Sequence, residues 1–107
     1  MAKVERFEDL ECWRAARELT RVVYALCRTG PIAKDFEMSR QVRGAALSSM
    51  NNIAEGFGRM SDREFVRFLE ISTASASEVC SISYAAEDQS YWTAEESRFV
   101  RTSAEKV

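Results

Sequence analysis

A chain of 107 residues supplies one domain and one small core. It has no histidine, which excludes Ser–His–Asp and Cys–His catalysis, histidine-ligated zinc or haem, and the Glu-x-x-His pairs of di-iron bundles. One proline and four glycines are too few for a strand-rich fold, and they predict long helices instead.

The first predicted helix covers DLECWRAARELTRVVYALCRTG, with Asp9 as its expected N-cap. Cys12, Ala16, Leu19, Val23 and Leu26 recur at helical spacing, and Leu10, Trp13 and Val22 widen the stripe. Trp13 is therefore expected to be buried against another helix. Gly30-Pro31 ends the element, because proline cannot continue the ladder and restrains its predecessor. The second helix is predicted from about Glu37 to Glu55. Val42, Ala46, Ser49 and Ile53 form its stripe, beside Met38, Ala45 and Met50. These side chains are small enough to admit a closely packed neighbour.

Between Asn51 and Phe65 lies NNIAEGFGRMSDREF. A phosphate-cradling loop would need a strand before its glycines and either a third glycine or a Lys-Ser/Thr pair. Here the glycines follow a helix. The segment therefore reads as a helix–helix corner, with Gly56 in the left-handed position that ends the second helix. Ser61 and Glu64 then form a capping box for the third helix. Phe65, Phe68/Leu69, Ser72, Ser75/Ala76, Val79, Ile82/Ser83 and Ala86 mark its inner face as far as about Glu87. Thr93 and Glu96 form a second capping box, opening a short fourth helix with Phe99 and Val100 as its bulky apolar residues. The expected fold is all-α: a single up-down-up-down antiparallel four-helix bundle over residues 1–107 with a short fourth helix.

Net charge is −2, yet the distribution is uneven. Residues 1–67 carry 12 basic and 10 acidic side chains, whereas residues 68–107 carry 3 and 7. Arg40, Arg43, Arg59, Arg63 and Arg67 straddle the end of the second helix and the start of the third. Two readings are open for them. Converged on one corner, they would form a site for RNA or DNA phosphates. Alternatively they pair with Glu37, Glu55, Asp62, Glu64 and Glu70 on the surface. Cys12, Cys27 and Cys80 lack CxxC spacing, and Cys12 and Cys27 on one helix would lie about 22 Å apart, so free thiols are expected. With no apolar leader and no membrane-length segment, a cytoplasmic protein without membrane association is expected. No catalytic constellation, metal site or cofactor site emerges, and Glu55 is the best lone candidate for a perturbed carboxylate.

Three stretches, FEDLECWRAA, SRQVRGAALSSMNNIAEGFGR and SDREFVRFLEIS, carry a resemblance. They are similar to the four-helix bundle proteins encoded in intervening sequences of bacterial 23S ribosomal RNA genes. Phe7, Asp9, Leu10 and Trp13 match the family's opening pattern. Gln41, Arg43, Ala45, Ala46, Ser48 and the run Asn52–Gly56 with Gly58 and Arg59 match its central pattern. Glu64, Phe65, Arg67, Phe68 and Leu69 match the pattern that follows. Met50 stands where the family usually has proline, and Gly44 where it has a second arginine. The resemblance implies a homo-oligomer, with a five-fold ring known among relatives. One related branch, the accessory variability determinant of diversity-generating retroelements, partners a reverse transcriptase and nucleic acid. Two function classes follow: a non-enzymatic oligomeric scaffold binding nucleic acid through arginines, or a protein-binding adaptor for a partner such as a reverse transcriptase.

Overall fold

The computed structural model describes residues 3–107. A 3-10 turn at Phe7–Asp9 leads into α1 (Glu11–Cys27), and a second such turn at Pro31–Lys34 leads into α2 (Phe36–Phe57). Helices α3 (Asp62–Asp88) and α4 (Ala94–Glu105) complete an all-helical chain without strands among the described residues. Each helix packs on its neighbour in sequence, and α4 returns to α1. The result is the expected antiparallel four-helix bundle. Its long axis of 46 Å is set by α3, whose 27 residues rise about 40 Å.

Leu19, Val23, Val42, Val79 and Val100 are fully buried and contribute the aliphatic core. Between α2 and α3 the core is built from small residues. Ser72 Oγ donates to the Ser49 carbonyl at 2.6 Å, Ser49 Oγ donates to the Ala46 carbonyl at 2.6 Å, and the Ser48 and Ser75 hydroxyls share a bond of 2.9 Å. Each of these hydroxyls thus keeps a partner, and the two helices run close together. The small stripe predicted on α2 is therefore filled by α3 of the same chain.

Several local expectations are corrected. Gly56 is not a left-handed cap: α2 continues through it, and Gly58 follows with right-handed φ −79° and ψ −3°. The glycine at positive φ is Gly30, at 79°, in the turn after α1. Gly56 is glycine because a Cβ there would lie 2.5 Å from Phe68 Cβ and 3.2 Å from Phe65 Cδ1. It marks a close approach of α2 to α3. Asp9 belongs to the turn before α1 and accepts a bond from Arg14, leaving Leu10 as an N-cap without a side-chain acceptor. Trp13 is half-buried, its ring packed edge-on against Phe7 at 5.2 Å and lying outside the central core cluster. Ser61 caps α3 by accepting from the Glu64 amide, but among the described residues only that arm of the box is formed. At Thr93 and Glu96 both arms close. Asp35, which the sequence pattern did not mark, caps α2 through the Met38 amide and accepts the Tyr91 hydroxyl at 3.0 Å, tying the α3–α4 turn to α2.

Candidate nucleic-acid interface

The five arginines separate into two groups. Arg40 and Arg43 stand in the second turn of α2, whereas Arg59 lies beyond its end. Sixteen residues of helical rise part Arg43 from Arg59 by about 24 Å. They do not converge on one corner.

The corner group is Arg59, Arg63 and Arg67. Arg63 and Arg67 sit one turn apart on α3 and therefore on one line of that helix. Arg59 and Arg67 line a shallow groove with Glu64, Phe68 and Ile71, of about 280 Å³. The Arg59 guanidinium lies 4.9 Å from the centre of the Phe68 ring and donates to Glu55 at 2.8 Å. Glu55 thus acts as an ion-pair partner. Arg59 is the one member of the five within salt-bridge distance of a carboxylate among the described residues.

In the second group Arg43 reaches toward α1. Arg43 Nε donates to the Ser39 carbonyl at 3.1 Å, and its guanidinium lies 5.7 Å from the centre of the Tyr24 ring. Arg40 precedes it by one turn and is exposed. Two arginines not singled out from sequence share this side. Arg17 lies over Trp13 at 5.8 Å, and Arg28 is one turn beyond Tyr24. Their spacing on α1 was visible in the sequence. Which helix borders that line was not.

Elsewhere the polar chemistry is structural. Arg101 of α4 donates to Ser83 Oγ at 3.1 Å and to Glu87 at 3.3 Å, and stacks 4.1 Å from the centre of the Tyr84 ring. Burial pushes the thiols of Cys12, Cys27 and Cys80 above the ordinary range, with nearby Glu105 adding to the effect at Cys80. All three are unbridged. No group of three or more acidic or cysteine side chains among the described residues is arranged to hold a metal ion. No helix among them is long and apolar enough to cross a membrane.

What the fold and these surfaces define is a small antiparallel helical bundle whose five candidate arginines fall into two groups, one at the α2–α3 corner and one near the start of α2. The chain belongs to the 23S rRNA-intervening sequence protein family, whose profile matches residues 8–107. A search of curated proteins returned no match.

Proposed function

We propose that the protein is a non-enzymatic cytoplasmic scaffold that forms a homo-oligomer, a five-fold ring, and presents arginines to the phosphates of RNA or DNA. The observation that carries this reading is that Arg40, Arg43, Arg63 and Arg67 have no carboxylate partner within salt-bridge distance among the described residues. A guanidinium left unpaired on the surface is free to displace counter-ions from a phosphate backbone, which makes binding strongly salt-dependent.

Assembly draws support from the mismatch between α3 and α4. Helix α4 has 12 residues against 27 in α3, so the first half of α3 extends beyond its cover. Val66, Leu69 and Thr73 continue the line on which Cys80, Tyr84 and Glu87 meet α4, and Val66 remains 52% exposed. Apolar surface left open beside a packed helix pair favours contact with another copy. The ring number comes from family likeness alone. Repetition around an axis would multiply a weak phosphate contact by avidity.

Light scattering paired with mobility shifts across a salt series tests the reading. A multiple of the 12.2 kDa chain mass and a shift that weakens with salt are expected. A monomer at micromolar concentration rejects the scaffold, and the absence of any shift at low salt rejects the nucleic-acid role. An oligomer without nucleic-acid binding would favour the adaptor reading, in which the acidic α3–α4 side meets a basic partner such as a reverse transcriptase.

A further inference from the structure

The face shared by α1 and α2 sorts its charge by side. Trp13, Arg17, Tyr24 and Arg28 recur at spacings of four, seven and four, which holds them on one line of α1. Across the seam Thr20 Oγ1 donates to the Ala46 carbonyl at 3.0 Å, and Arg43 stacks on Tyr24, so this line of α1 borders the α2 side that carries Arg40 and Arg43. None of these four arginines has a carboxylate within salt-bridge distance among the described residues.

The acidic residues of both helices lie mostly on other sides, and Glu18 alone among them also lines the groove of Trp13 and Arg17. Glu11 and Glu18 share a line with Ala15, and Glu18 borders the α1–α4 groove beside Phe99. Glu37 borders the α2–α3 groove beside Ile82, and Glu55 is held by Arg59. On the outer flank of α1, Glu8, Asp9 and Glu18 are held by Arg6, Arg14 and Arg21. Arg17 is the cation left over there. The face therefore holds four cations, two partly exposed aromatic rings and the half-exposed Leu47, and the carboxylates that share the groove of Trp13 and Arg17, namely Glu8, Asp9 and Glu18, are each held by another arginine.

We propose that this α1–α2 face binds single-stranded nucleic acid, with the arginines on phosphates and with Trp13 and Tyr24 stacking on unpaired bases. The inference rests on the nucleic-acid reading above and narrows it to one face and one strand type. From Trp13 to Arg28 the face runs about 22 Å, and the two rings are about 16 Å apart, room for several nucleotides. Both rings already carry a guanidinium, so arginine and ring are positioned together before a ligand arrives. A duplex would use the arginines but keeps its bases stacked away from the rings. An unpaired strand uses both features.

The test measures anisotropy of labelled oligo-dT and oligo-U against a duplex of equal length, together with tryptophan fluorescence. Trp92 is 2% exposed, so quenching on binding reports on Trp13. Single strands are expected to bind in preference to duplex and to quench Trp13. Changing Arg17, Arg28, Arg40 and Arg43 together to glutamine should flatten the logarithmic salt slope by about 2.8, at about 0.7 for each phosphate no longer neutralised. Trp13→Ala should weaken binding about 5- to 150-fold. Should that variant fail to fold by circular dichroism, quenching in the unaltered protein and the four-glutamine variant decide the matter. If Arg63→Gln with Arg67→Gln abolishes binding while the four-glutamine variant retains it, the face is wrong and the broader nucleic-acid reading survives. Equal affinity for duplex without quenching overturns the strand assignment. Binding to anionic phospholipid vesicles but to no oligonucleotide, or no binding at all, overturns both.

Discussion

Gly44 and Gly56 lie on the same helix but differ in surroundings, so one substitution should act in opposite directions. A Cβ at Gly44 meets nothing within 4 Å, whereas one at Gly56 lies 2.5 Å from Phe68 Cβ and 3.1 Å from Phe68 Cγ. Carbon atoms in contact prefer about 3.5–4.0 Å, so α2 and α3 must part by about 1 Å to admit the methyl group. Phe68 Cβ is fixed to its backbone and cannot rotate away. Overpacking of this kind costs about 1–3 kcal/mol, and the upper half of that range fits a clash with so little freedom. Replacing glycine by alanine inside a helix returns up to about 1 kcal/mol. Gly44→Ala should therefore stabilise by about 0.5–1 kcal/mol, and Gly56→Ala should destabilise by about 1–2 kcal/mol. Thermal unfolding at one fixed protein concentration reads both, and the Gly56 variant should melt about 4–16 °C lower. Gly56→Asn separates the causes further, since asparagine is tolerated in a left-handed cap but would be worse than alanine here. If Gly56→Ala is stabilised alongside Gly44→Ala, the close approach at Phe68 is refuted.

Arg101→Ala removes the bonds to Ser83 and Glu87 and the stack on Tyr84, and should lower stability by about 1–3 kcal/mol in urea unfolding; an unchanged midpoint would mean α4 is held by its apolar residues alone. The Tyr91 phenol is raised above its ordinary value, first by its hydrogen bond to Asp35. Its contribution is therefore complete below the ordinary tyrosine value of about 10 and disappears as pH rises through the higher folded value. Urea midpoints across that alkaline window should fall in the native protein and fall less in Tyr91→Phe, and parallel profiles would refute the link. Because burial raises all three thiols, a thiol reagent at pH 8 should label the folded chain far more slowly than the unfolded one. Rapid labelling of the native protein would show that the cysteines are accessible.

Helix order and the α3 face were legible because the relevant signals are local. Ser61 and Thr93 cap where hydroxyl residues precede apolar periodicity, and Ser72, Ala76, Val79, Ser83 and Ala86 are buried in the predicted phase. Gly56 was misread because a glycine needed for close packing and one needed for a turn look alike in sequence. The difference lies in Phe68, one helix away. Trp13 falls on the edge of the α1 stripe, where one-dimensional spacing cannot tell a core position from a rim shared with Phe7. The arginines show the same limit. Their helical phases were readable, but Arg17 and Arg28 join Arg40 and Arg43 only through the pairing of α1 with α2.

The unequal lengths of the helices also bear on how the bundle opens. Helices α2 and α3 are separated by only four residues, Gly58–Ser61, and hold one another through contacts from Gln41–Glu78 to Gly56–Phe68. Contacts between α1 and α4 instead join the two extremes of the chain across a much shorter seam. Loop closure therefore favours the α2–α3 hairpin as the early-forming unit and leaves α4 to dock late. In the native state α4 should be the first element to detach, at a cost below that of global unfolding. Amide hydrogen exchange should then be slowest between Val42 and Ile53 and between Ser72 and Ser83, and faster around Val100. Equal protection in α4 would instead make closure of the bundle a single cooperative event.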